Sequence, residues 1–165
     1  MIELITKRNR RSKGSLLLCI LCFLCFSCRN GMVCNQYQSI EGMSWDKDRE
    51  YHFTCLIDDT TALYTITFEV RNNNFYPYQN LWIFYTEKSP GGLYVKRDTV
   101  ECMLADEFGK WQGKGISLFQ SGFAIRTRYT FAEKGSYTFS FRQGMRSDTL
   151  KGIRDIGLRI EKVRR

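Results

Sequence analysis

The chain predicts an all-β fold, an antiparallel β-sandwich of about eight strands. Three observations carry that expectation. Apolar and polar residues alternate with period two through most of the sequence, turn-forming residues interrupt it at short intervals, and no long stretch of helical period stands between the alternating runs. Period two does not separate a sandwich from a closed sheet, so an eight-stranded β-barrel is the alternative, and jelly-roll and immunoglobulin-like connections stay equally open.

The first clear strand is 51–57. The next is the clearest: in "ALYTITFEVRN", Tyr64, Ile66, Phe68 and Val70 alternate with Thr65, Thr67, Glu69 and Arg71, which describes a strand with one wet face. Segments 80–87, 93–104, 116–120, 123–131, 136–142 and 155–162 repeat the pattern. Between them lie Asp58-Asp59, Asn72-Asn73-Asn74, Pro90-Gly91-Gly92, the glycine-spaced "FGKWQGKG" and Lys134-Gly135, all turn chemistry. Both prolines fall in these gaps, where no ladder hydrogen bond needs their missing N–H. "QGMRSDTLKG" alone reads as locally helical, and residues 29–48, which lack periodicity, read as a tether and lead-in segment.

The N-terminus has a different character. Lys7, Arg8, Arg10, Arg11 and Lys13 precede the apolar run Leu16 to Phe26, and Ser27 then supplies a small residue before Cys28. This is the order of a secretory leader. Cys19, Cys22, Cys25 and Cys28 stand at three-residue intervals, but the residues between them are Ile, Leu and Phe, with nothing to hydrogen-bond an iron–sulfur cluster. The run is also shorter than the roughly 20 apolar residues that span a bilayer. The stretch resembles a bacterial lipoprotein signal, with 1–27 removed, Cys28 lipidated on sulfur, 28–48 forming the lipidated tether and 49–165 the sandwich domain.

The formal charge of +8 shrinks once the leader is set aside, because residues 1–28 hold five bases and one acid, leaving +4. The remaining charges alternate in sign, as in "EGMSWDKDRE" and "GLRIEKVRR", a solvated surface and not a nucleic-acid groove. Export permits a disulfide among Cys34, Cys55 and Cys102, and three thiols allow three pairings; Cys102, in an alternating strand, reads as a buried single thiol.

Catalytic chemistry finds little support. His52 is the one histidine, placed in a strand. "GKWQGKG" lacks the G-x4-G-K-[ST] spacing and the following helix of a phosphate loop, and Asp58-Asp59 and Asp106-Glu107 sit in turns, where solvated carboxylates are ordinary. No metal-ligand spacing appears, and no cofactor is implied. Aromatics are the surplus. In "NNNFYPYQNLWIFY", Tyr76, Tyr78 and Trp82 crowd around a proline turn and are the candidate partner- or glycan-binding residues.

Three blocks, "YTITFEVRNNNFYPYQNLWIFY", "DTVECMLADEFGKWQGKG" and "GSYTFSFRQGMRSDTLKGIRDIGLRIEK", together with the leader, resemble the gliding motility lipoprotein GldH family of Bacteroidetes over essentially the whole chain. The resemblance implies a non-enzymatic envelope lipoprotein associated with gliding machinery linked to protein secretion, with no catalytic residues to transfer. The implied partners are a membrane, through the lipid anchor, and other envelope, gliding or secretion proteins. A glycan-binding surface lipoprotein, recognising polysaccharide, is the alternative function. Arg29-Asn30-Gly31 after the anchor lacks an acidic run, so the expected location is the outer membrane, facing the periplasm.

Overall fold

The structure, a computed structural model, describes residues 31–163. The leader and Cys28 lie outside the described residues. The described part is an all-β sandwich, and the barrel alternative fails because neither principal sheet closes on itself. Ten strands run in order: β1 (Met32–Ser39), β2 (Ser44–Asp46), β3 (Tyr51–Ile57), β4 (Tyr64–Asn73), β5 (Asn80–Lys88), β6 (Val95–Met103), β7 (Leu118–Tyr129), β8 (Gly135–Gln143), β9 (Thr149–Lys151) and β10 (Ile153–Lys162). One four-stranded sheet has the order β1-β10-β4-β7, the other β3-β8-β5-β6, and β2 pairs with β9. All pairings are antiparallel.

Alternation sets the core. From the first sheet Ile66, Phe68, Val70, Ile156, Leu158 and Ile160 point inward; from the second, Phe53, Ile57, Ile83, Tyr85, Phe139 and Phe141 meet them. Phe68 and Phe141 join the layers, with ring centroids 4.9 Å apart. Burying one such ring contributes about 2 to 3 kcal/mol. At one end the β2–β9 pair closes the core with Trp45, which is fully buried and donates its indole N–H to the Arg49 carbonyl at 3.0 Å.

The strand expectations differ from the structure in three places. Residues 32–39 and 44–46, within the expected tether, are strands. β1 shows no apolar alternation because it is an edge strand: its even positions face β3, with Cys34 bonded to Cys55 while the Gln36 and Gln38 amides donate to the β3 carbonyls of Thr54 and His52. Segments 116–120 and 123–131 are one strand, β7, since Ser121-Gly122 stays in the ladder opposite Val70 and Glu69. "QGMRSDTLKG" is not helical; it is the end of β8, a turn and β9, held by Gln143, whose amide donates to the Ser147 carbonyl at 2.8 Å. Of the three possible cysteine pairings, Cys34–Cys55 forms, and Cys102 is a buried free thiol.

Candidate functional site

The β4–β5 connection is a tight turn built by Asn73. Its side-chain oxygen accepts the Phe75 N–H at 2.9 Å, and its carbonyl accepts the Tyr76 N–H at 3.2 Å. That geometry sends Tyr76 inward. It is 3% exposed, its hydroxyl donates to the Asn80 carbonyl at 2.7 Å, and burial raises its pKa far above the usual tyrosine range. Tyr78 lies outside it, hydroxyl to hydroxyl with Ser147 at 2.6 Å, and the two rings meet at 75°. Of the three candidate residues, Tyr76 is thus buried, while Tyr78 and Trp82 are each 37% exposed. Tyr76 is a packing residue, because the turn places it between Tyr78 and Trp111.

Tyr78 and Trp82 do share a surface. With Asn80, Gly144, Met145 and Arg146 they line an open hollow of about 520 Å³. Trp82 is fastened from behind by its backbone, whose carbonyl accepts the Gly144 N–H at 2.7 Å and whose N–H faces the Met145 sulfur at 3.3 Å. Two residues along β5, Phe84 occupies the same outer face, 41% exposed, beneath the Arg142 guanidinium at 5.2 Å from the ring centroid. Trp82, Phe84 and Arg142 thus form an exposed aromatic and cationic strip across β5 and β8. These are residue types that carry binding energy at protein interfaces.

Sequence reasoning missed a second surface. On the outer face of the first sheet, Tyr37, Gly157, Glu69 and Gly122 are cross-strand neighbours in one row over β1, β10, β4 and β7. The Tyr37 ring lies over Gly157, and the Glu69 carboxylate lies over Gly122, where any side chain would displace them. Glu69 is 4% exposed although it is charged. Arg159 donates to it at 2.7 Å and to Glu161 at 2.7 Å. Gln120 donates to the Tyr37 hydroxyl at 3.0 Å, and the Arg71 guanidinium sits 4.3 Å from the Tyr37 ring centroid. A hollow of about 660 Å³ opens beside this network, with Gln112 and Lys114 on its far side. The available signal was glycine inside two strand patterns, "QSGFA" and "DIGLR", which marks close approach of a neighbouring group.

The groups considered for catalysis make contacts within the scaffold. His52 Nδ1 is 2.7 Å from the Ser140 hydroxyl, its cross-strand partner, but Ser140 is 1% exposed and out of reach of a substrate. Asp106 accepts the N–H groups of Phe108 and Lys110 and so caps its own turn. Asp58 and Asp59 face Lys162 at 3.6 and 3.2 Å. Lys114, in the glycine-spaced segment, bridges to Gln120 along the β7 edge.

The sequence model of the GldH lipoprotein family matches residues 32–160, from the start of β1 almost to the end of β10. A gliding motility lipoprotein GldH homolog from Christiangramia forsetii is 34% identical over 138 residues, covering 79% of this chain and 83% of the relative. Gliding motility lipoprotein GldH from Flavobacterium johnsoniae is 32% identical over 137 residues, covering 78% of this chain and 84% of the relative.

Proposed function

Because the chain belongs to the GldH lipoprotein family, we propose that it is a non-catalytic, lipid-anchored part of the envelope gliding and secretion machinery that works by binding another envelope protein. The observation that carries this reading is the strip of Trp82, Phe84 and Arg142, held on a rigid strand pair yet open to solvent. Rings fixed in this way lose little conformational freedom on binding, which favours a specific protein contact. The lipid anchor is Cys28. One acyl chain holds a protein only marginally, whereas several chains on one residue anchor it stably. Confinement to a membrane then raises the effective concentration of the domain toward partners there. The expected site is the outer membrane, facing the periplasm.

The test is to extract the lipidated protein with detergent and identify what copurifies, with and without Trp82→Ala plus Phe84→Ala. Loss of a specific envelope protein in the double variant supports the reading; an identical set of copurifying proteins overturns it. Cys28→Ser should move the protein out of the membrane fraction, and protease shaving of intact cells should leave it intact. A second reading, polysaccharide binding, is favoured by the Tyr78 and Trp82 hollow with its polar Asn80 and Arg146. Retarded migration in polysaccharide gels that Trp82→Ala abolishes would support it.

A further inference from the structure

The strand register gathers particular parts of the chain at one end of the sandwich. Met32 stands opposite Glu161, Lys162 opposite Tyr64, Tyr64 opposite Tyr129, Ile57 opposite Gly135, and Lys88 opposite Val95. Gly31, where the described chain starts, therefore shares an end with the connections 58–63, 89–94 and 130–134. Pro90 of the 89–94 turn packs against Gly135 at this end.

That turn carries large apolar side chains into solvent. Leu93 is 91% exposed and Tyr94 63% exposed; Leu56, near the end of β3, is 66% exposed. The turn is also closed on itself. The Ser89 N–H donates to the Tyr94 carbonyl and the Gly92 N–H to the Ser89 carbonyl, each at 2.9 Å, while the Tyr94 N–H donates to the Ser89 hydroxyl at 3.1 Å. Pro90 has no N–H, and Gly91 and Gly92, both at φ 73°, take the left-handed conformation the turn needs. The turn pairs the N–H groups of Ser89, Gly92 and Tyr94 internally, so it leaves water at less cost than a loop with none of them paired. Lys88 precedes it, Lys134 stands on the neighbouring connection beside Glu133, and Asp58 and Asp59 at the same end both face the one Lys162, so three carboxylates there meet three ammonium groups.

Cys28 precedes Gly31 by three residues, and three extended residues reach about 10 Å at most. The headgroup layer on each side of the hydrocarbon core is about 6 Å thick. An acyl anchor at Cys28 would therefore keep Gly31, and with it this end of the sandwich, within reach of the headgroups. We propose that the Ser89–Tyr94 turn is a membrane-contact tip, with Leu93 and Tyr94 entering the headgroup region of the bilayer that holds the acyl chains. The inference rests on the lipidation of Cys28 proposed above. The contact stops the domain from tumbling about its short tether and turns the opposite end, with Phe75 and Phe108, away from the membrane.

The experiment uses the full lipidated protein in phosphatidylethanolamine and phosphatidylglycerol vesicles, with and without lipids brominated near the glycerol. Leu93→Trp and, separately, Tyr94→Trp report the tip, and Phe108→Trp reports the far end. An interfacial side chain buried 5–10 Å deep should lose about half of its added emission to the brominated lipid, whereas Phe108→Trp should lose none. Both tip variants staying unquenched while the protein floats with the vesicles overturns the contact and leaves the anchor standing. Protein that does not float, with Cys28 unmodified by mass spectrometry, overturns the anchor and the contact together.

Discussion

Cys34 of β1 is bonded to Cys55 of β3, across a Cα separation of 6.0 Å, so the edge strand of one sheet is stapled to the edge strand of the other. The link closes a 21-residue separation in sequence. Restricting the unfolded chain in that way contributes about 3 kcal/mol by the loop-entropy relation. Cys34→Ser with Cys55→Ser should lower stability by about that amount in guanidinium denaturation. An unchanged midpoint would show that Gln36 and Gln38, with the core behind them, hold the edge unaided.

Gly157 and Gly122 flank Glu69 on opposite sides, yet their replacement should have unequal consequences. A methyl group at 157 would come within 2.8 Å of the Gln36 carbonyl and 2.7 Å of the Tyr37 ring, and backbone cannot yield. At 122 the nearest atoms it would meet are those of the Glu69 carboxylate, from 2.9 Å, a side chain and not backbone. Gly157→Ala should therefore cost about 3 kcal/mol, as overpacking does, and Gly122→Ala about 1. Equal losses in thermal unfolding would contradict the geometry.

Arg159→Ala should cost about 3 kcal/mol, because it leaves the Glu69 carboxylate buried without its cation, facing only Gln120 at 3.5 Å and the Tyr37 hydroxyl. Adding Glu69→Leu to that variant should recover most of the loss, since an apolar pair removes the stranded charge. Additive losses in this double-mutant cycle would mean that the two side chains are not coupled.

Stability should fall at both extremes of pH, for different groups. Asp59, bonded by the Thr61 hydroxyl and N–H and by Lys162, and Asp98, bonded by Arg126 and the Thr99 N–H, are both held below the usual carboxylate pKa of 3.8. Their contribution is complete above that value and is lost as the pH falls through the folded one. Burial pushes the Cys102 thiol up to about 12 from 9.0, and burial first, then Glu87, raises Tyr85 above 10.0. Those contributions are complete below the ordinary values and decline as the pH climbs past them. Denaturation midpoints across pH should trace both limbs, and Cys102 should resist alkylation until the protein unfolds.

Trp82→Ala and Phe84→Ala should each weaken partner binding by about 2 kcal/mol, roughly thirtyfold, if the strip is a hot spot. The circular dichroism of both variants should stay unchanged, because neither ring belongs to the buried core. Full affinity in the double variant would move the contact to another face.

The sequence by itself determined the layered β architecture. Tyr64, Ile66, Phe68 and Val70 can share one buried face only in a strand, and Pro77 and Pro90 stand outside the ladders. It also carried the family, through blocks spread along the whole sandwich. β1 stayed hidden because an edge strand that packs glutamines against backbone carbonyls has no apolar stripe to read. The cysteine pairing, the inward turn of Tyr76 and the burial of Glu69 were decided by tertiary structure alone. Each depends on a partner 21 residues or more away in the chain, or on which way a turn rotates a ring, and a local pattern of apolar and polar residues encodes neither.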